Sequence, residues 1–486
     1  MKFSELLKTL NIEKSIKKDF DVNGISSDSR TVEEGDIFIA VKGYNADGFS
    51  FIAQAVRKGA KAVIFDDSNK YEIKNAGDVI TVPVGSTRKM LSTIAASVYK
   101  SSSNLNVIGV TGTSGKTTVT YLSEHILREQ KFKTGVIGTV NYRYKNKIFE
   151  SSNTTPGPIE LCKIIYEMDK EKVDFVLLEV SSHALSQFRA DGIKFKDVIF
   201  TNLSPEHLDF HHSMEDYFSA KKRLFTELNL RGYSIINIDD EWGRRLKDEA
   251  KSKVLTCGMD SSADVRAKNI FLKSDGLEFD LHIDGKKIFI KSKLIGVHNV
   301  YNILCVCAMI FAQGIDLESV KESIFSFEGV PGRLQRIFCG QPYSIYVDYA
   351  HKPQALEIVL KSLKGFIKGN IITVFGCGGN RDRTKRPLMG KIAEDLSDAV
   401  ILTTDNPRDE EPSCIIAEIL AGIKMKNKVF IEEDRKKAIE KALNLAKPGD
   451  CILLAGKGHE NYQIVKDMKF EFNDVEVVRN LLRAEC

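Results

Sequence analysis

No stretch of the sequence stays apolar for the ~20 residues that a membrane-spanning helix requires. The longest apolar run, Ile303 to Ala312, stops far short of that. The N-terminus, MKFSELLKTL, interrupts its apolar residues with charge and lacks the unbroken core of a secretory signal. A cytoplasmic chain with no stable membrane insertion is therefore expected. Paired cysteines are missing too: none of the nine cysteines forms a C-x-x-C motif, and the nearest two are Cys305 and Cys307. Structural zinc and disulfide frameworks need a spacing that is absent here. In a reducing compartment most of these thiols are expected to be buried as small hydrophobes. Excess charge of one sign is also lacking. A formal net charge of +4 over 486 residues gives no argument for nucleic acid or a membrane surface as partner. No repeat or low-complexity segment stands out.

What is present reads as a soluble globular chain, and at ~100–200 residues per domain its length predicts two to four domains. Residues 1–100 read as a small α/β unit with strands at 36–41 and 62–65 and a helix at 52–58. The polar stretch 101–104 reads as a linker. A second unit, 101–330, opens with an apolar strand at 107–110, then a glycine-rich turn and a helix at 117–129. Further strands are expected at 175–179, 198–201 and 234–237. Pro331-Gly332 breaks the chain before a third unit, 331–486, with buried strands at 345–348, 371–375, 399–403, 428–431 and 451–455. Strands alternating with helices imply parallel sheets covered on both faces, an α/β class.

The turn Gly112-Thr113-Ser114-Gly115-Lys116-Thr117-Thr118 between strand and helix suits a polyphosphate. Its glycines let backbone N–H groups approach the anion, and the helix N-terminus adds positive potential. Lys116 would reach the β- and γ-phosphates and Thr117 would ligate Mg²⁺. A strict P-loop places a glycine where this sequence has Val110. The bland alternative is a glycine-rich turn beside an exposed lysine.

Glu179 ends a predicted parallel strand, beside the phosphate loop in such architectures. It reads either as a Mg²⁺ ligand, since that ion prefers oxygen, or as a helix-capping carboxylate. The segment from Thr201 to His212 holds three histidines, His207, His211 and His212, among acids. It lacks H-E-x-x-H or a cysteine partner, which disfavours zinc; a loop touching a second metal or substrate phosphates fits better. Lys221-Lys222-Arg223 lies on a predicted helix and by default reads as a solvated basic face.

Taken together these motifs resemble the Mur ligases, ATP-dependent amino-acid-adding enzymes of peptidoglycan synthesis. The residues that carry the resemblance are the phosphate loop, Glu179 to His183, Thr201 to Asp209, Gly296-Val297-His298-Asn299 with Asn302, Pro331-Gly332-Arg333, and Asp348-Tyr349-Ala350-His351, in the family's order along nearly the whole chain. The resemblance implies three domains: an N-terminal UDP-sugar-binding domain, a central P-loop parallel-sheet ATPase domain, and a C-terminal Rossmann-like domain that binds the amino acid. It also implies ligase activity, ATP and Mg²⁺ as cofactors, a cytoplasmic place in cell-wall biogenesis, cell shape and division, and a monomer.

Within the family, Asp28-Ser29-Arg30, Gly376 to Asp382 before Lys385-Arg386-Pro387, and Asp405-Asn406-Pro407-Arg408 with Glu410-Glu411-Pro412 resemble the branch that adds meso-2,6-diaminopimelate to UDP-N-acetylmuramoyl-L-alanyl-D-glutamate. Its amino acid would meet Arg381, Asp405, Asn406, Pro407, Arg408, Gly456 and Glu460. Arg408 could grip the distal carboxylate that lysine lacks, and Glu460 would suit the distal ammonium. The UDP-sugar peptide would meet Ser27, Ser29, Tyr44, Asn45, Ala46, Asn153, Thr154, Thr155, Ser181, Gln187 and Arg189; Tyr44-Asn45 replaces the family's usual His-Gln pair. Asn299, Asn302, Arg333, Asp348 and His351 would contact or position ATP. Thr117, Glu179 and His207 would serve metal ions, and Lys221 matches a lysine that the family carries as a CO₂-derived carbamate. Lys116, His207 and Lys221 are thus the implied catalytic residues. A lysine-adding ligase, a folylpolyglutamate synthetase-like ligase and a nucleotide-regulated binding protein are the competing readings.

Overall fold

The computed structural model describes residues 1–43, 46–67, 78–100, 105–228, 231–273 and 275–484. Tyr44, Asn45 and the expected linker 101–104 lie outside the described residues. The chain divides into two compact units, one of Met1–Arg266 with Leu304–Leu317, the other of Ala267–Ile303 with Glu318–Cys486.

The first unit holds two sheets. The N-terminal one runs Ile25–Ser26, Ile37–Ala40, Ala62–Asp66, Ile80–Val84, all parallel. Its strands are apolar on both faces because both are covered. Ile37, Ile39, Ala62 and Ile64 enter the large core of the unit, while Phe38, Ala40, Val63 and Phe65 pack into a separate cluster. Period-two alternation therefore sorts one run of residues into two cores.

Inward from Val265–Lys273, which pairs with its first member, the central sheet is ordered Lys253–Gly258, Tyr233–Asn237, Phe195–Phe200, Asn106–Thr111, Phe175–Glu179, Thr134–Ile137, Asn141–Tyr144, Lys147–Glu150. The first six strands are parallel and the last two turn back antiparallel. Register decides what lies at the phosphate loop: Val110 pairs with Glu179 on one side, and Thr111 with Phe200 on the other. Glu179 and the residues after Phe200 thereby flank the loop.

In the second unit a six-stranded sheet is ordered Gln335–Ile337, Ser344–Asp348, Cys451–Ala455, Ile371–Phe375, Ala399–Leu402, Val429–Ile431, antiparallel only at its first edge. Strands Leu277–Ile283 and Lys286–Ser292 form an antiparallel hairpin in the same unit. The three α/β sheets give the three-domain class expected from sequence.

The apolar run Ile303 to Ala312 belongs to the helix Val297–Ala312, in which Ile303 through Ile310 are fully buried. A helix apolar all round is a core helix. Among the described residues no helix is long and apolar enough to cross a membrane. Of the described cysteines only Cys339 and Cys414 are exposed, and Cys257 Sγ lies 3.4 Å from Cys305 Sγ. One expectation is overturned. Lys221 is not on a solvated face: it is 1% exposed, while Lys222 pairs with Glu249 and Arg223 with Asp191. The helix Met214–Arg223 turns Lys221 inward, toward the phosphate loop.

Candidate active site

The phosphate loop leaves Thr111 and enters the helix Lys116–Glu129. Gly112 has φ +149°, and a Cβ there would lie 1.9 Å from Thr201 Oγ1. Gly115 is left-handed at φ +88°. Glycine is required at both by conformation, and at Gly112 also by space. Val110 by contrast is an interior strand residue, paired on both sides, so the glycine of a strict P-loop has no task there. The loop is clamped from the neighbouring strand end. Thr113 N donates to Asn202 O at 2.9 Å, Ser114 N to Asn202 Oδ1 at 2.9 Å, and Thr201 Oγ1 to Ser114 O at 2.6 Å. Lys116 Nζ donates to Gly112 O at 2.8 Å and Thr113 O at 2.9 Å.

Lys221 Nζ reaches the same Gly112 O at 2.8 Å. Burial, reinforced by the nearby Lys116 charge, pushes the Lys221 pKa well below the usual lysine range. Tyr217, one turn earlier on the helix, contacts Thr113 Oγ1 at 3.2 Å through its hydroxyl, and its ring lies 4.7 Å from Lys221 Nζ. His207 is left-handed at φ +56°, 3.9 Å from Glu206, with its ring 4.8 Å from that of His183. His211 Nε2 meets Ser182 Oγ at 2.9 Å, and burial lowers its pKa to about 4.

Glu179 is fully buried. Its Oε1 accepts from Thr139 N at 3.1 Å and its Oε2 from Thr139 Oγ1 at 2.8 Å. Thr139 Oγ1 lies 3.1 Å from Thr154 Oγ1. Thr155 Oγ1 donates to Glu179 O at 2.8 Å and accepts from Ser181 N at 3.0 Å. Arg189 Nη1 donates to Thr155 O at 2.9 Å and Nη2 to Gln187 Oε1 at 2.7 Å. The structure thus joins Thr154, Thr155, Ser181, Gln187 and Arg189 to Glu179 in one network. Asn153 is exposed beside it, its carbonyl accepting from Ser151 Oγ at 2.9 Å. Ser27 and Ala46 are exposed, and Ser29 is buried with its hydroxyl on Gln54 at 2.8 Å; among the described residues no hydrogen bond joins these three to the network.

In the second unit Asp348, His351, Arg381, Asp405 to Arg408, Gly456 and Glu460 lie at or just beyond the carboxyl ends of parallel strands, where α/β sheets place their ligands. After Ser344–Asp348, the buried Asp348 accepts from Leu334 N at 2.7 Å and Ala350 N at 2.8 Å. Burial raises its pKa and Arg333 opposes the rise. His351 Nδ1 donates to Tyr349 O at 2.8 Å, and burial lowers its pKa to about 4. Asn302 Nδ2 donates to Asn299 Oδ1 at 2.8 Å, and Asn299 Nδ2 to Ile295 O at 2.8 Å, within the start of their own helix.

Asn406 is the hub of the other group. Its Oδ1 accepts from Ile464 N at 2.9 Å and Lys457 Nζ at 3.2 Å, and its Nδ2 donates to Glu460 Oε2 at 2.8 Å. Burial and Asp405 raise the Glu460 pKa. Arg408, left-handed at φ +51°, donates from Nη1 to Gly379 O at 2.9 Å. A Cβ on Gly379 would lie 1.8 Å from Pro407 O, and one on Gly456 2.8 Å from Asp405 Oδ2. These glycines let three strand-end loops close on one another. Arg381 lies exposed on the first of them. Glu410 is spent structurally: with Glu418 it pairs with the fully buried Arg386.

Thr139, Tyr217 and Lys457 were not singled out from the sequence. Only sheet register brings Thr139 to Glu179, through the pairing of Ile137 with Leu178. Tyr217 had a usable signal, its i, i+4 spacing from Lys221. Lys457 lies between Gly456 and Glu460, to both of which the resemblance gives a role.

Three family models match: "Mur ligase family, catalytic domain" over 21–99, "Mur ligase middle domain" over 110–310 and "Mur ligase, glutamate ligase domain" over 332–458. The chain is similar to the UDP-N-acetylmuramoyl-L-alanyl-D-glutamate–2,6-diaminopimelate ligase of Clostridium botulinum, at 39% identity covering 99% of this chain and 100% of that protein. It is similarly related to the ligase of that name from Aquifex aeolicus, at 43% identity over 96% and 94%. A solved structure of an enzyme so named superposes with a TM-score of 0.75 at 32% identity, covering 99% of each chain. Sequence likeness over its full length and a shared three-domain fold lead to one conclusion: the chain belongs to the Mur ligase family.

Proposed function

We propose that the protein is an ATP-dependent ligase that joins meso-2,6-diaminopimelate to the D-glutamyl γ-carboxylate of UDP-N-acetylmuramoyl-L-alanyl-D-glutamate, in the cytoplasm, as a step of peptidoglycan synthesis. It acts as a monomer with domains 1–100, 101–330 and 331–486. The observation that carries the choice of amine is the opposite charge of Arg408 and Glu460, both tied to Asn406, on adjoining strand-end loops. The Nε–Nη2 edge of Arg408 bonds to none of the described residues, which leaves a fork for a carboxylate. The distal centre of meso-diaminopimelate carries a carboxylate and an ammonium; lysine carries the ammonium alone.

The chemistry is two displacements. A carboxylate oxygen of the acceptor takes the γ-phosphoryl group of ATP, releasing ADP and leaving an acyl phosphate. The amine then attacks that carbonyl carbon; the C–O bond to phosphate breaks, phosphate leaves and the amine loses a proton. Phosphate-loop N–H groups and Lys116 bind and neutralise the triphosphate, Lys116 exchanging its present carbonyl partners for phosphate oxygens. Arg189, Ser181 and Thr154 hold the acceptor, whose carboxylates suit hydroxyl and guanidinium donors, while Thr155, its proton given to Glu179 O, positions Ser181 beneath them. The two amino-acid loops fix the amine, which converts a bimolecular attack into an oriented one.

Among the described residues no three of His, Cys, Asp and Glu are gathered as a metal cage. The oxygen donors present, the buried Glu179 carboxylate and the Thr117 hydroxyl, suit Mg²⁺, which is held by few carboxylates together with substrate phosphates. Thr117, Glu179, His207 and a carbamate on Lys221 would hold it, and bound Mg²⁺ would neutralise the transferring phosphoryl group. Burial of Lys221 favours its neutral amine, the form that adds CO₂.

The test is product formation from ATP, UDP-muramoyl-dipeptide and a panel of amino acids, with folate plus glutamate as a separate arm. Wild type should prefer meso-diaminopimelate, and Arg408→Ala should lose it selectively, by about tenfold or more relative to lysine. A wild-type preference for L-lysine, or equal loss with both amines, overturns the assignment.

A further inference from the structure

Thr139 has no part in the scheme above, yet it touches both ends of it. The strand Thr134–Ile137 runs parallel to Phe175–Glu179, so the chain leaving Ile137 passes the Glu179 side chain. Gly138 makes the passage possible: a Cβ there would lie 2.3 Å from Glu179 Oε1. Thr139 then gives Glu179 two donors, its N–H at 3.1 Å and its hydroxyl at 2.8 Å. A hydroxyl has one proton. Since the carboxylate can only accept, Thr139 Oγ1 spends its proton on Glu179. In its 3.1 Å contact with Thr154 Oγ1 it must therefore accept, and Thr154 must donate.

That direction has a consequence. Thr154 can donate to an incoming carboxylate only by withdrawing its proton from Thr139. Thr139 then keeps its bond to Glu179 but loses the donor that polarised it, which changes the strength of the bond to Glu179. We infer that Thr139 is a positioning residue that couples arrival of the acceptor at Thr154 to the hold on the Glu179 carboxylate. The inference rests on the reading that Thr154 touches the acceptor and Glu179 serves the metal. Any such coupling is reciprocal: the acceptor changes metal affinity by the factor by which metal changes acceptor affinity.

The experiment measures Mn²⁺ binding directly, by electron paramagnetic resonance of the free ion, with a non-hydrolysable ATP analogue and with or without UDP-muramoyl-dipeptide. Thr139→Val keeps the shape and removes the hydroxyl; Thr139→Ser keeps the hydroxyl. In wild type the acceptor should shift the Mn²⁺ dissociation constant severalfold. In Thr139→Val that shift should vanish and Mn²⁺ binding without acceptor should weaken about tenfold, the scale of a hydrogen bond to a charged group. Thr139→Ser should restore both to within about twofold. Should Thr139→Val not fold, Thr139→Ala makes the same deletion without added methyl bulk. An acceptor shift that persists in the variant, or is missing in a wild type that binds acceptor and forms product, overturns the coupling while leaving the ligase reading intact. No acceptor binding and no product in wild type overturns both. A purely structural role would lower the melting temperature and leave the acceptor shift in place.

Discussion

Lys221 shows how much one residue's placement can mean. An ammonium taken out of water is costly unless it is paired, and Lys221 Nζ donates to the Gly112 carbonyl at 2.8 Å, with the Lys116 charge close enough to depress its pKa further. As a carbamate it would be an anion, and Lys116 would change from a repelling neighbour to an attracting one. Lys221→Ala should therefore cost turnover far more than folding: a loss of about a hundredfold or more in kcat, the scale of losing a charged group that acts on the transition state. Wild type supplied with carbon-13 bicarbonate should show a carbamate carbonyl signal that the variant lacks. Wild-type turnover in Lys221→Ala, indifferent to bicarbonate, would remove Lys221 from the reaction. The residue types alone do not single out this lysine; only the family resemblance does. The run of three basic residues is what a solvated face looks like, and only the helix phase of Met214–Arg223 separates Lys221 from Lys222 and Arg223.

At the scale of elements, the phosphate loop is set by backbone shape and strand register. Gly112→Ala would place a methyl 1.9 Å from Thr201 Oγ1 on a backbone at φ +149°. Strain of this kind costs about 1–3 kcal/mol, and the clash adds to it. Affinity for an ATP analogue should fall at least tenfold, by calorimetric titration. Adding Thr201→Ala should recover the steric part and leave the conformational part; no recovery would mean that the clash is not what matters. The same contrast between contiguous and register-dependent features explains which elements could be read from sequence. Ile371–Phe375, Cys451–Ala455 and Phe175–Glu179 are short, largely apolar and wholly buried runs, because parallel strands are covered on both faces; their expected bounds match the structure. The strands between Lys253 and Ser292 were missed, since charge interrupts Val265–Lys273 and Lys286–Ser292 along their exposed positions. One local signal was available there. Asp284-Gly285, with φ +48° and +72°, is the two-residue turn that joins Leu277–Ile283 to Lys286–Ser292. The phosphate loop was legible because its chemistry is local, whereas the network around Glu179 depends on three segments brought together by sheet order.

At the scale of the whole molecule, both units carry histidines that burial holds neutral. His211 in the first unit, and His298, His351 and His459 in the second, each have a pKa lowered to about 4, with burial as the largest cause. An unfolded histidine titrates near 6.5, as a rough reference. Between these values the unfolded chain binds protons that the folded chain does not, so stability falls as pH falls. The contribution is fully present above about pH 6.5, declines as pH drops toward the folded value near 4, and amounts to about 1 kcal/mol per histidine over the first pH unit. Buried Asp197 and the partly buried Asp240 and Glu460 have raised pKa values and act in the opposite sense, since their folded forms take up protons more readily. A histidine variant therefore isolates the effect better than the wild-type curve does. His211→Gln keeps a polar side chain beside Ser182 but cannot take up a proton in this range. Thermal unfolding followed from pH 7.5 to 5 should show the wild-type melting temperature falling from about pH 6.5 downward. The variant should fall less steeply, with the gain confined to the first unit, as read by hydrogen exchange in its strands. Parallel curves for the two proteins would mean that protonation of His211 does not govern the acid limb.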